Sequence, residues 1–193
     1  MSDSARKDAN EPGLATVVAA SAAGTAFEWY DFFVFANLIT VLTKHFFTGV
    51  SEATGFILAL ATFAVGFFVR PIGALVFGLF GDAKGRKTAF LITITVMGLA
   101  TVLIGVLPTA EQIGIVAPLL LIALRVLQGF ALGGEYGGAA IYVAEHAPNR
   151  RRGGLTGWIQ TSAAFGLVGA LAVILATQQL LGKEAFESWG WRV

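Results

Sequence analysis

Long apolar stretches separated by short polar patches divide this chain into segments. Cutting at the patches leaves apolar segments of roughly 20 residues or more, the length needed to cross a hydrocarbon core about 30 Å thick. They cover residues 15–42, 53–80, 88–107, 114–144 and 154–181. An unclosed strand in lipid would leave its backbone groups unpaired, so we predict that all five are helices. Residues 1–14 form a polar tail in front of them.

The composition supports an all-α membrane protein. Hydrophobic residues make up 56% of the chain and charged residues 13%, whereas soluble domains carry about 25% charged residues. Cysteine is absent, and the two histidines, His45 and His146, are far apart in the sequence. We therefore expect no metal site and no cofactor. With no candidate nucleophile or metal cluster, we expect no enzyme, and we expect no nucleic-acid partner.

The distribution of lysine and arginine predicts the orientation, because cytoplasmic loops are enriched in both. The tail and the loops after the second and fourth helices hold eight of these residues, and the opposite loops hold three. The N-terminus is therefore predicted to lie in the cytoplasm, with the chain in the inner cell membrane.

Five ionisable residues fall inside the predicted helices: Glu28, Asp31, Arg70, Arg125 and, near the cytoplasmic edge, Glu135. Each costs about 2.5–3.5 kcal/mol at a helix centre, so such residues usually face a cavity or each other. Glu28 and Asp31 share one helix face, and Arg125 and Gln128 share another. We expect these two faces to meet across a wet cavity. The alternative is a structural ion pair that only holds two helices together.

The loop after the second helix reads GLFGDAKGRK and combines glycines with charges of both signs. One interpretation is a basic anchor at the membrane surface. We favour a gating element, because an acid would weaken an anchor. Its residues are Gly78, Gly81, Asp82, Gly85, Arg86 and Lys87.

This loop resembles the signature loop of the major facilitator superfamily, although Ala83 stands where that family usually has a basic residue. Further stretches match in order: GTAFEWYDFFVF at 24–35, FAVGFFVRPIGALVFGLFGD at 63–82, RVLQGFALGGEYGGA at 125–139, EHAPNRRRG at 145–153 and WGWRV at 189–193. Together they resemble the metabolite:proton symporter branch of that superfamily.

The resemblance implies a transporter built from two six-helix halves that rock around a central substrate. The chain is then expected to be most of an N-terminal half, ending where the sixth helix begins. The missing C-terminal half would be required in cis or from a partner chain. Helices one and four are counterparts in the inverted repeats of such a half, and they carry the two polar pairs.

The resemblance also implies a mechanism driven by a proton gradient. A buried carboxylate is uncharged more easily, whereas a nearby arginine favours its charged form. We expect Glu28 or Asp31 to take the proton, and Arg125, once released, to meet an anionic group of the substrate. Tyr30 and Arg70 are candidate cavity residues. An organic acid is favoured over a zwitterion as the small metabolite.

A charge network is expected at the cytoplasmic ends of the helices, with Arg86 pairing to an acid in one conformational state. Its members are Glu135, Glu145 and Arg152. Glycines at 129, 133 and 137 recur every four residues and predict a face for close helix packing.

Two other functions remain open from the sequence. A proton-driven exporter would share the fold, but the glycine-proline motif of exporter helix five is absent from GGLTGWIQTSAAFGLVGA. A truncated chain that only binds a full-length transporter is the second alternative.

Overall fold

The computed structural model describes the backbone of residues 14–148, 150 and 152–192. Within these ranges, several side chains lie outside the described set: residues 14–18, 20, 21, 135–140, 142, 145, 146, 152 and 159. The predicted polar tail, apart from residue 14, also lies outside the described residues.

Five long helices and three short helical turns make up the described chain. In order they are α1 (Leu14–Phe46), α2 (Glu52–Lys84), α3 (Arg86–Val106), α4 (Ala110–Ile113), α5 (Val116–His146), α6 (Arg152–Leu181), α7 (Lys183–Ser188) and the 3-10 helix η1 (Gly190–Arg192). The described residues contain no strand. The five predicted segments correspond to α1, α2, α3, α5 and α6. The short turns α4, α7 and η1 were not predicted.

Local sequence explains where several of these helices begin and end. The Ser51 side chain accepts a hydrogen bond from the Thr54 amide at 3.2 Å and so caps the start of α2. Before α4, the Thr109 amide donates to the Gln112 side chain at 3.0 Å. Pro148 follows the end of α5 at His146, as expected for a residue that cannot continue a helix.

The predicted loop at 78–87 is wrong in its extent, because most of it is helical. Helix α2 continues to Lys84, and α3 begins at Arg86. The break is Gly85, whose φ of 95° lies in the left-handed region that glycine adopts without a steric cost. Polar residues beyond the membrane can still be helical, so a change from apolar to polar composition does not mark the helix end. The chain therefore reverses its direction between α2 and α3 at Gly85.

The helices run alternately between two ends of the bundle. We call the end that carries Lys84, Arg86, Lys87 and Arg150 the basic end. The other, which we call the far end, holds the turn at 47–51, the segment 107–115 and the C-terminal segment 182–192. The main apolar core lies toward the far end and includes Phe46, Leu42 and Leu121.

Two helix pairs pack most extensively, α2 with α5 and α1 with α6. Glycines allow both close approaches. A Cβ added at Gly129 would collide with the backbone of Gly66, and one at Gly133 would collide with the carbonyl oxygen of Arg70. Between α1 and α6, a Cβ added at Gly166 would lie 2.9 Å from the carbonyl oxygen of Ala26. The predicted glycine face is confirmed at 129 and 133, while the side-chain position of residue 137 lies outside the described set.

The surface of the bundle is apolar. Phe68, Val102 and Phe165 are 79%, 62% and 69% exposed, respectively. By length and composition, four described helical stretches could cross a membrane: Glu52–Lys84, Arg86–Val106, Val116–Gly134 and Gly153–Leu181. The predicted first span is not among these, since α1 carries Glu28, Asp31 and Asn37 within its apolar run. The all-α membrane fold expected from the sequence is confirmed.

Candidate functional site

A buried polar cluster joins α1, α3 and α5 near the middle of the bundle. Arg125 Nη1 donates to Asp31 Oδ2 at 3.0 Å and to Gln128 Oε1 at 2.7 Å. Gln128 Nε2 donates to Asp31 Oδ1 at 3.2 Å, and Thr101 Oγ1 lies 2.9 Å from the same oxygen. The predicted meeting of Asp31 with Arg125 and Gln128 is therefore confirmed. We call these four residues the Asp31 cluster.

Burial makes this ion pair different from a surface salt bridge. The side chains of Arg125 and Asp31 are 8% and 9% exposed. The Arg125 guanidinium carbon lies 3.5 Å from the centre of the Phe35 ring, within the range of a cation–π contact. Among the described residues, Arg125 Nε has no hydrogen-bond partner. A buried arginine held in this way is costly to leave without its carboxylate.

Glu28 does not join this cluster, so the expectation that both acids face Arg125 is wrong for Glu28. Its Oε1 lies 3.5 Å from Arg70 Nη1 on α2, which is long for a hydrogen bond. Glu28 Oε2 and Arg70 Nε have no hydrogen-bond partner among the described residues. The Arg70 side chain is 27% exposed, and its guanidinium lies over the Phe67 ring at 4.6 Å. Asp31 and Arg125 thus form a tight ion pair between α1 and α5, whereas Glu28 and Arg70 form a loose one between α1 and α2.

Two clefts meet at the Asp31 cluster. The larger, about 120 Å³ in volume, lies between α1, α3, α6 and η1 and is lined by Tyr30, Asp31, Thr101 and Arg125 among others. The smaller, about 20 Å³, lies between α1, α2 and α5 and is lined by Arg70 as well as Asp31 and Arg125. The second volume is enough for one water molecule. Tyr30 and Arg70, the two predicted cavity residues, therefore each line a cleft beside the cluster.

The larger cleft ends under the C-terminal segment at the far end. Arg192 Nη1 donates to the carbonyl oxygens of Gly105 and Leu107, both at 2.7 Å. Lys44 Nζ donates to Glu187 Oε2 at 2.9 Å, and His45 Nε2 donates to the Glu187 carbonyl oxygen at 2.7 Å. The hydrogen bond from Lys44, followed by the charge of Lys44, lowers the pKa of the Glu187 side chain. These contacts fasten the segment 182–192 to α1 and α3.

The predicted gating residues lie at the basic end, about Gly85. Asp82 Oδ1 on α2 is 3.8 Å from Nη2 of Arg86, the first residue of α3, and both side chains are exposed. Gly81 is buried against α3, where a Cβ would lie 3.6 Å from that of Ala89. The predicted charge-network side chains, Glu135, Glu145 and Arg152, lie outside the described residues. The proposed pairing of Arg86 with one of these acids therefore stays a prediction.

Sequence reasoning did not predict Thr101 as a site residue, nor the contact of Phe35 with Arg125. Thr101 is a neutral residue in a helix that shows no other polar signal at that depth, and threonine is common in membrane helices. Phe35 lies one turn beyond Asp31 on α1, so the spacing of four could have placed it on the same face.

Comparison with known proteins identifies the family. A family model described as Sugar (and other) transporter matches residues 16–193. The chain belongs to this transporter family. Similar curated transporters include the glycine betaine/proline/ectoine/pipecolic acid transporter OusA of Dickeya dadantii (strain 3937), 42% identical over 93% of this chain and 36% of the relative. The shikimate transporter of Escherichia coli (strain K12) is 42% identical over 90% of this chain and 40% of the relative. The chain spans less than half the length of these relatives.

The solved structures confirm the fold of this chain. The structure of the major facilitator superfamily proton:xylose symporter XylE bound to 6-bromo-6-deoxy-D-glucose matches with a TM-score of 0.81. Sequence identity is 19%, over 93% of this chain and 40% of that one. The inward-open xylose transporter XylE from E. coli matches with a TM-score of 0.76, also at 19% identity. The expected major facilitator fold is therefore confirmed, and this chain belongs to a family of transporters rather than enzymes.

Proposed function

We propose that this chain forms the proton-coupling part of a symporter that carries a small polar metabolite across the inner cell membrane. The observation that carries the proposal is the Asp31 cluster. It places an ion pair in the middle of the membrane-embedded bundle, where charged residues usually mark a transport pathway. The cluster also lies between two clefts, so that small species have room on either side of it.

Asp31 is the proposed proton site. Its carboxylate receives donors from α3 and α5, so the charge state of one side chain on α1 affects contacts to two other helices. Protonation of Asp31 would remove the charge that holds Arg125. The guanidinium, with its fixed fork of donors, would then be available to a carboxylate on the substrate. Competition between proton-free Asp31 and substrate for Arg125 would couple the two fluxes.

The proposed substrate is a small metabolite that carries a carboxylate. The substrates of the relatives include proline, betaine and shikimate, all of which contain a carboxylate. The sequence favours an organic acid over a zwitterion, and the assay below tests both. No cofactor is proposed, because the proton gradient supplies the energy.

Transport is proposed to require a C-terminal half, in cis or from a partner chain. The chain spans 36–40% of the length of its relatives, and one half supplies only one wall of a central substrate path. In the proposed orientation, the N-terminus and the basic end lie in the cytoplasm. The residues about Gly85 would then form part of a cytoplasmic gate.

The test is uptake of labelled proline, glycine betaine and shikimate by cells that lack their own carriers. Residues 1–193 are joined to the C-terminal part of the proline/betaine transporter of Escherichia coli (strain K12), a relative that is 41% identical over 93% of this chain. The unmodified relative serves as the positive control. We expect accumulation of at least one compound, and we expect a protonophore to abolish it. Accumulation that continues in the presence of the protonophore would contradict the proposed proton coupling. Uptake by cells that express residues 1–193 alone would contradict the proposal that transport requires a C-terminal half.

A further inference from the structure

The Thr101 hydroxyl has one hydrogen and two acceptors within hydrogen-bond distance. Its Oγ1 lies 2.9 Å from Asp31 Oδ1 and 3.0 Å from the carbonyl oxygen of Met97, and both of these atoms are acceptors. It also accepts a hydrogen bond from Gln128 Nε2 at 2.8 Å. A hydroxyl donates one hydrogen and accepts two. The Thr101 hydroxyl can therefore donate to the Asp31 carboxylate or to the Met97 carbonyl, but not to both at once.

The charge of Asp31 determines which acceptor the Thr101 hydroxyl donates to. When Asp31 is a carboxylate, a hydrogen bond to it is charge-assisted and roughly twice as strong as one to a neutral carbonyl. The Thr101 hydrogen then points to Asp31 Oδ1. When Asp31 carries a proton on Oδ1, two hydrogens would face each other if Thr101 kept this orientation.

We propose that Thr101 is a positioning residue whose hydroxyl turns from Asp31 to the Met97 carbonyl when Asp31 takes a proton. The acid hydrogen of Asp31 is then donated to Thr101 Oγ1, which still accepts from Gln128 and so uses both lone pairs. No covalent bond at Thr101 breaks, because only its hydrogen rotates. The inference rests on Asp31 being the proton site of the proposed function.

The arrangement lets α3 respond to a protonation event on α1. Met97 and Thr101 are one helical turn apart on α3, and Met97 is 5% exposed. The Met97 carbonyl would gain a second hydrogen bond in one state and lose it in the other. Within the cluster, Arg125 on α5 is the charged partner of Asp31. The charged or titratable groups near the cluster that add to the field at Asp31 are Glu28 and Tyr30 on α1, Arg70 on α2 and Arg192 on η1.

Isotope-edited infrared spectroscopy of the 193-residue chain in lipid nanodiscs tests the proposal without measuring transport. The chain contains two methionines, Met1 and Met97, so methionine labelled with ¹³C at its carbonyl places one reporter in α3 and one in the tail. A Met97→Leu chain supplies the Met1 background. The carboxylic acid band of Asp31 is assigned by its loss in Asp31→Asn.

On acidification, we expect the Met97 carbonyl band to move to lower frequency in step with the appearance of the Asp31 acid band. Thr101→Ser keeps the hydroxyl and should keep this shift. Thr101→Val should abolish the shift and leave the Met97 band where the wild-type chain has it in alkaline buffer. Thr95→Val is the matched control, because the Thr95 hydroxyl donates to Leu91 at 2.7 Å on the same helix but is exposed.

Three results would contradict the proposal. A Met97 band that stays fixed while the Asp31 acid band appears would overturn the Thr101 role and leave Asp31 as a proton site. An equal shift in Thr101→Val would show that another group moves the Met97 carbonyl. Absence of an Asp31 acid band over the whole range in which the chain stays folded would overturn the proton site itself, and the Thr101 role with it.

Discussion

Loss of either charge in the Asp31 cluster should destabilise the bundle far more than loss of both. Asp31→Leu leaves the Arg125 guanidinium buried, with the Gln128 oxygen at 2.7 Å and the Phe35 ring at 3.5 Å as its described neighbours. Breaking a buried pair by removing one partner costs about 3–5 kcal/mol. Arg125→Leu leaves a buried carboxylate and should cost a similar amount.

The double variant Asp31→Leu/Arg125→Leu leaves no buried charge at this position. Replacing a whole buried ion pair by apolar residues is often close to neutral. Hydrogen bonds within membranes are also weakened by partners that remain in the unfolded state. Both single costs should therefore be partly recovered, and we expect a coupling free energy of about 2 kcal/mol or more.

The assay is unfolding of the purified chain in mixed micelles, followed by circular dichroism, for the wild type, both single variants and the double variant. The salt bridge of Lys44 and Glu187 provides a control cycle, with Lys44→Met and Glu187→Gln. Its N···O distance of 2.9 Å resembles the 3.0 Å of the buried pair, but its side chains are 60% and 34% exposed rather than 8% and 9%. Solvent screening should leave its coupling much smaller than that of the buried pair. Single-variant costs that simply add at Asp31 and Arg125 would refute the argument from burial.

Three further predictions concern packing, pH and orientation. Gly133→Ala should destabilise the chain by about 1–3 kcal/mol, because its Cβ would meet the α2 backbone. Gly98→Ala, with no atom within 4 Å of the added Cβ, should be neutral or slightly stabilising in the same unfolding assay, because alanine is the better helix former. Because the pKa of Glu187 is lowered, its salt bridge stabilises the C-terminal segment at and above the ordinary glutamate pKa. This stabilisation is lost as pH falls through the lowered pKa. Tryptophan fluorescence should report the pH dependence, and Glu187→Gln should remove it. Because the chain has no cysteine, Ser51→Cys should react with an impermeant maleimide on intact cells, and Ala83→Cys only after permeabilisation; the reverse pattern would invert the proposed orientation.

The sequence was sufficient to predict the five long helices, but not all of their ends and not the three short helical turns. Segment length and apolarity predict a membrane helix because lipid leaves the backbone no other way to pair its polar groups. The α2–α3 reversal was placed too broadly, since charged residues such as Asp82 and Lys84 continue a helix beyond the apolar region. Only the backbone angle of Gly85 fixes where the chain turns.

The candidate site was predictable to the extent that helical spacing determines it. A separation of three placed Arg125 and Gln128 on one face, and the structure brings both to Asp31. Spacing gives the face of one helix and does not say which neighbour packs there, so Glu28 was assigned to Arg125 although it lies by Arg70 on α2. Thr101 was missed because an uncharged hydroxyl carries no sequence signal that separates a network partner from an ordinary packing residue.

Substrate-induced proton uptake tests the central claim most directly. The fused transporter described above is expressed in cells held in weakly buffered medium, the transported compound is added, and the external pH is recorded. The account predicts a transient rise in external pH that Asp31→Asn abolishes, while exchange of labelled for unlabelled substrate continues. Glu52→Gln, a change at an exposed carboxylate at the start of α2, should leave the rise intact. A rise that persists in Asp31→Asn would contradict the assignment of Asp31 as the proton site.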